Sequence, residues 1–226
     1  MLDVHPPHHR LEGLKDFFIH LLTISVGLLI AVGIEGCVER HQHRELARDA
    51  RETLRKEIEK NSKTISDVLP VIQERQTKVA DGIAFLEHIR QKPKDKSATH
   101  GSITTTYSFT SLDDTAWRTA QTTGALAFMP YEEAHKYSGI YRAQDQFKAA
   151  EDKISEDVAQ VIGVMHKYDF DTDITQEAAA ETQERLGIMQ MHLATLELMA
   201  ELAAAQDKNF LTGKDTPYSF HEDLKN

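Results

Sequence analysis

The segment FFIHLLTISVGLLIAVGI, Phe17–Ile34, is the part of the chain that governs its architecture. Eighteen consecutive positions carry no Asp, Glu, Lys or Arg, and only His20, Thr23 and Ser25 are appreciably polar. At about 1.5 Å rise per residue they cover roughly 27 Å of helix, close to the ~30 Å of a bilayer's hydrocarbon layer. Extended to Val38, the segment reads as a transmembrane helix at 17–38 behind a polar leader at 1–16. That leader holds Asp3, Glu12 and Asp16 beside Arg10 and Lys15. It lacks the basic start and small-x-small cleavage site of a secretory signal. A rival reading rests on Ile34-Glu35-Gly36-Cys37, whose Gly-Cys ending matches a lipoprotein signal that would place lipid on Cys37. Glu35 fits that processing site poorly.

Within the span, His20, Ile24, Gly27, Ala31 and Glu35 are separated by steps of three or four and share one side of the helix. Gly27-x-x-x-Ala31 is the small-x-x-x-small pattern that lets two helix backbones approach in lipid, and the ionisable His20 and Glu35 favour a partner over hydrocarbon. This face is the candidate for self-association. Just beyond the span lies a basic stripe, Arg40, Arg44, Arg48, Arg51 and Arg55. Together with Lys56 these outnumber Arg10 and Lys15 on the other side, so the positive-inside rule favours a cytoplasmic C-terminal domain over a periplasmic one. The near arginines are placed for anionic headgroups. The far ones are expected to meet acidic helix faces such as Glu151, Asp152, Glu156 and Asp157.

From Ala47 the apolar positions Ala50, Leu54, Ile58, Ile65, Val68, Ile72, Val79, Ile83 and Leu86 recur at steps mostly of three and four, with Asn61 in the same stripe. The phase survives Pro70, which is expected to bend the helix rather than end it. Lys92–Gly101 breaks the pattern with charge, Pro and Gly, and a loop is assigned to 92–111. Ile103, Tyr107 and Phe109 mark its second half as an extended strap over the helices. A short helix around Trp117 follows, capped by Ser111 or Asp113. Pro130, Glu132 and Glu133 then open a long helix whose inward side is Tyr137, Ile140, Tyr141, Phe147, Ile154, Val158, Val161 and Met165. A last helix from about Ile174 to Asp207 faces inward with Leu186, Met189, Leu193, Leu196, Ala200 and Ala203. The expected fold is all-α: an N-terminal transmembrane helix continuing into an antiparallel helical bundle at 39–209, with a C-terminal tail at 210–226.

Chemistry is sparse in this pattern. The net charge of −10 argues against nucleic acid as a partner. Cys37 is the only cysteine, which leaves no intramolecular disulfide. His5, His8 and His9 with His41 and His43 invite a metal reading, yet the span separates the two groups. Glu132-x-x-His135 lacks the second copy that a di-iron bundle uses. Gly-rich phosphate loops, a Gly-x-Ser-x-Gly elbow and a His-Glu-x-x-His motif are absent, so no cofactor is implied. Met129, Met165, Met189, Met191 and Met199 read as adaptable core.

The first sixty residues resemble a family of uncharacterised bacterial single-span proteins with a His-Pro-Pro-His leader. The likeness rests on Val4-His5-Pro6-Pro7-His8-His9, on Asp16-Phe17, on His20–Ala31, and on the charged helix from Asp49 through Ile58 to Asn61. Trp117, Thr123-Gly124-Ala125-Leu126 and Tyr141 extend it loosely. The resemblance implies a membrane anchor with a helical domain and no assigned activity; the localisation expected for the chain is the bacterial inner membrane. The resulting expectation is a membrane-anchored interaction or sensor-like scaffold without catalysis, partnered by the bilayer and by another protein or a second copy. Its alternatives are a lipid-anchored periplasmic protein and a metal-dependent enzyme using His41 and His43.

Overall fold

The computed structural model describes residues 13–92, 102–108, 110–168, 170 and 174–214. The described residues are helical, with an extended strap and no strand: α1 spans Gly13–Gln91, α2 Thr115–Thr122, α3 Tyr131–Lys167 and α4 Gln176–Thr212, and a single 3-10 turn covers Ala125–Phe128. The chain divides into two compact units, Met1–Asp49 and Ala50–Asn226. The His-Pro-Pro-His leader and Phe109 lie outside the described residues.

In the first unit, α1 carries the apolar segment with its side chains exposed, and it is long and apolar enough to cross a membrane. Its few polar groups are satisfied along the helix itself. Thr23 Oγ1 donates to Ile19 O and Ser25 Oγ to Leu21 O, both at 2.8 Å, and His20 Nδ1 reaches Asp16 O at 3.0 Å. Each of these bonds returns to the preceding turn, so the two hydroxyls and one imidazole nitrogen are satisfied within the helix.

The second unit is an all-α bundle, and its apolar core repeats every seven residues on each of the three long helices, a period that α4 divides into steps of three and four. On α1 the buried positions are Leu54, Ile58, Ile65, Ile72, Val79 and Leu86; on α3, Ile140, Phe147, Ile154 and Val161; on α4, Leu186, Met189, Leu193, Leu196, Ala200 and Ala203. Those inward faces match the expected ones, with Val158 and Met165 packed at the margin of the core. Pro70 sits inside α1 on its exposed side, so its ring meets solvent and leaves the core packing untouched. Met191 departs from the expected methionine core, being 61 % exposed.

The direction of the helices follows from their cross-links. Gln73 and Gln76 donate to Glu197, Gln183 bridges Glu87 and Arg90, and Arg55 reaches Leu211 O, so α4 runs antiparallel to α1. Arg51 meets Glu133, Glu57 meets Tyr141 and Asn61 meets Gln144, so α3 runs parallel to α1. The bundle is therefore antiparallel only through α4. The connection makes this possible by travelling back along α1: Ser102 lies near Gly82, Tyr107 beside Arg75, Asp113 at Asn61 and Trp117 at Glu57. Extended chain covers about 3.3 Å per residue against 1.5 Å for a helix, so a short strap spans a much longer stretch of α1. At Gly82 a Cβ would lie 3.3 Å from Leu186 Cδ1, so a side chain there requires Leu186 to shift by a few tenths of an ångström.

Helix ends show where sequence reading and structure part. Pro130 is the N-cap of α3 rather than its first turn. Thr175 caps α4 by accepting from Ala178 N at 3.1 Å. α4 continues past Asp207 to Thr212 and stops where Gly213 turns left-handed at φ 67. Gly213 N then reaches Phe210 O, and Lys214 N reaches Asn209 O, which satisfies the last carbonyls. Residues 210–212, assigned to a loose tail by composition, belong to α4, where the Phe210 ring packs on Tyr137 in a tilted arrangement with centroids 5.2 Å apart.

Candidate functional site

The polar residues in the core of the second unit form the most distinctive arrangement in the chain. Asn61, Gln144 and Asp207 are all almost fully buried, and each occupies a core position of a different helix. Asn61 Nδ2 donates to Gln144 Oε1 at 2.8 Å and to Asp113 O at 2.7 Å, while its Oδ1 accepts from Asp113 N at 2.9 Å. With its oxygen engaged by Asn61, Gln144 turns its amide nitrogen to Asp207, at 3.0 and 3.2 Å from the two carboxylate oxygens. One relay thus joins α1, α3, α4 and the strap. Burial disfavours the charged carboxylate more than the Gln144 bond favours it, and the Asp207 carboxyl is pushed up to about 7.

One helical turn away, Glu57 ties α2 to the bundle. Its carboxylate accepts from Ala116 N at 2.7 Å, Trp117 N at 3.2 Å and Tyr141 Oη at 2.7 Å. A carboxylate at a helix N-terminus meets both free amides and the positive end of the dipole. Neither Ser111 nor Asp113 caps this helix: Asp114 holds the N-cap position without a side-chain bond, and Asp113 is already taken by Asn61 and Lys60. Trp117 stacks on Tyr141 at 4.8 Å with an interplanar angle of 8°. Burial, then the Glu57 bond, pushes the Tyr141 hydroxyl pKa far up, so it stays a donor.

Further along, buried Glu151 accepts from Tyr107 Oη at 3.0 Å and Thr110 N at 2.8 Å, fastening the strap. Arg75 lies over the Tyr107 ring at 5.4 Å. Asp157, also buried, pairs with His192 at 2.7 Å.

The basic stripe is split between the two units. In the first, Arg40 Nε donates to Gly36 O at 2.8 Å, Arg44 is exposed, and Arg48 pairs with Asp49 and Glu45 on its own helix. In the second, Arg51 makes a two-pronged pair with Glu133 at 2.6 and 2.9 Å, and Arg55 donates to Leu211 O at 3.3 Å. The expected acidic partners are not the ones used. Parallel α3 brings its first turn to Arg51, while Glu151 and Asp157 lie higher in the bundle with Tyr107 and His192. The span face His20, Ile24, Gly27, Ala31 and Glu35 is exposed along α1, and nothing approaches a Cβ built at Gly27.

Sequence reading placed Asn61 on the inward stripe but missed Glu57, Gln144, Glu151 and Asp207. Three of the four were legible in principle: Gln144, Glu151 and Asp207 continue the four-three phase of their helices. Among the described residues no group of three or more His, Cys, Asp and Glu side chains is placed to hold a metal ion. Comparison with protein-family models, curated proteins and solved structures finds no match to this chain.

Proposed function

We propose that this chain is a membrane-anchored helical scaffold of sensor-like type, without catalysis of its own. Its span at 17–38 crosses the inner membrane of a bacterium and associates with a second copy through His20, Ile24, Gly27, Ala31 and Glu35. Its helical domain lies on the cytoplasmic side and engages a protein partner. The observation that carries this reading is the charge-free, exposed apolar surface of α1 from Phe17 to Ile34, in which His20, Thr23 and Ser25 bond back to their own helix. Such a surface is costly in water and stable in lipid. The sensor-like part is supported by the Asn61–Gln144–Asp207 layer, a core element whose cost changes with protonation.

Alkaline carbonate extraction and C-terminal topology reporters after Asn226 test the reading. Retention in the membrane pellet with a cytoplasmic-only signal is expected. Release into the supernatant overturns the anchor, a periplasmic signal overturns the orientation, and an intact mass starting at a lipidated Cys37 transfers the anchor to that residue.

A further inference from the structure

We propose that the outer face of α4 is a contact surface for a second copy of this chain, an inference that rests on the single-span reading above. Opposite its core side, α4 carries a second apolar seam: Ile188, Met191, Thr195, Leu198, Leu202 and Ala205, in alternating steps of three and four. Met191 is 61 % and Leu198 50 % exposed, Thr195 is exposed, and the other three are partly so. A helix lying on a core ordinarily turns polar residues outward. α3 does so, with Arg142, Asp145, Asp152 and Glu156 exposed.

The character of the seam selects its occupant. It contains no charged residue; the positions flanking it are Gly187, Ala194 and the exposed Glu201 on one side and His192, Met199 and Gln206 on the other, so that in a parallel pair Glu201 faces Gln206 of the second copy rather than a like charge. Two copies in register therefore set Ile188 on Ile188 and Leu198 on Leu198 without opposing like charges. Thr195 supplies one polar layer near the middle, the device that holds a helix pair in register. The hydroxyl now donates to Met191 O at 3.2 Å.

Size points the same way. Six residues over roughly 26 Å of helix fall well short of the ~800 Å² per partner typical of a stable free interface. A seam this small holds only where its partner is already concentrated nearby. Two single-span copies confined to one bilayer meet that condition, because tethering raises the effective concentration without adding any contact.

The test uses the full chain in proteoliposomes, with Cys37→Ser removing the native thiol. Thr195→Cys is expected to form a disulfide-linked dimer on mild oxidation at least tenfold more than Ala149→Cys on exposed α3. Adding Met191→Glu with Leu198→Glu is expected to cut the Thr195→Cys dimer at least tenfold while helical circular dichroism is retained. A Thr195→Cys dimer no stronger than the Ala149→Cys control overturns the proposal, as does one indifferent to the two glutamates. The same oxidation repeated in cell membranes overturns it if Thr195→Cys links to a chain of different mass in place of the dimer. Flotation of the same liposomes reports membrane insertion separately, so failure of the anchor is distinguishable from failure of the seam.

Discussion

Replacing Asp207 by asparagine changes how stability responds to pH, and the structure sets both sign and size. The Asp207 carboxyl lies at about 7 in the folded protein against an ordinary 3.8. Between those values the folded chain holds a proton that the unfolded chain has released, so stability falls as pH rises from about 4 to about 7 and is flat beyond. At ~1.4 kcal/mol per pH unit the difference amounts to about 4 kcal/mol. An asparagine side chain at this position would keep an oxygen for the Gln144 amide and cannot ionise. Weaker bonding in the layer offsets the gain by about 1 kcal/mol. Asp207→Asn is therefore expected to be more stable than the native chain by about 3 kcal/mol at pH 8 and within about 1 kcal/mol of it at pH 4.5. Urea unfolding of the detergent-solubilised chain, followed through Trp117 fluorescence at several pH values, measures the difference directly. Groups common to the two proteins cancel in the comparison. Parallel stability curves across pH 4.5–8 would refute the argument, because a buried carboxylate held mainly by one amide could not then be the source of the slope.

Further outcomes follow from the same contacts. Glu57→Leu leaves the amides of Ala116 and Trp117 and the Tyr141 hydroxyl without their acceptor, so a loss of about 2–4 kcal/mol and a red-shifted Trp117 emission are expected; unchanged emission would mean that α2 is held by something else. Phe147→Ala opens a void at a fully buried core position of α3 and should cost about 3–5 kcal/mol in the same urea assay. Arg51→Met breaks the pair with Glu133, but both side chains are partly exposed, at 39 % and 29 %, so only about 0.5–1 kcal/mol is expected. Gly27→Leu with Ala31→Leu should lower oligomer size in mild detergent without altering the far-ultraviolet spectrum; an unchanged size removes the span face from self-association.

Periodicity was the strongest signal available before the structure. The charge-free run Phe17–Ile34 and the four-three phase of the apolar residues define the helices and their inward faces, because burial on one side of a helix must repeat at its pitch. Pro70 could be passed over for the same reason, since the phase on either side of it agrees. Composition could not reveal where polar residues go once helices meet. Gln144, Glu151 and Asp207 look like solvated positions by residue type, and they are buried because neighbouring helices and the strap supply their hydrogen bonds. Glu57 looks like one acid among several on a charged helix until α2 brings its free amides to it. The parallel course of α1 and α3, and with it the pairing of Arg51 with Glu133, depends on the strap returning along α1. That path is made of contacts between residues far apart in the chain, which local pattern does not encode.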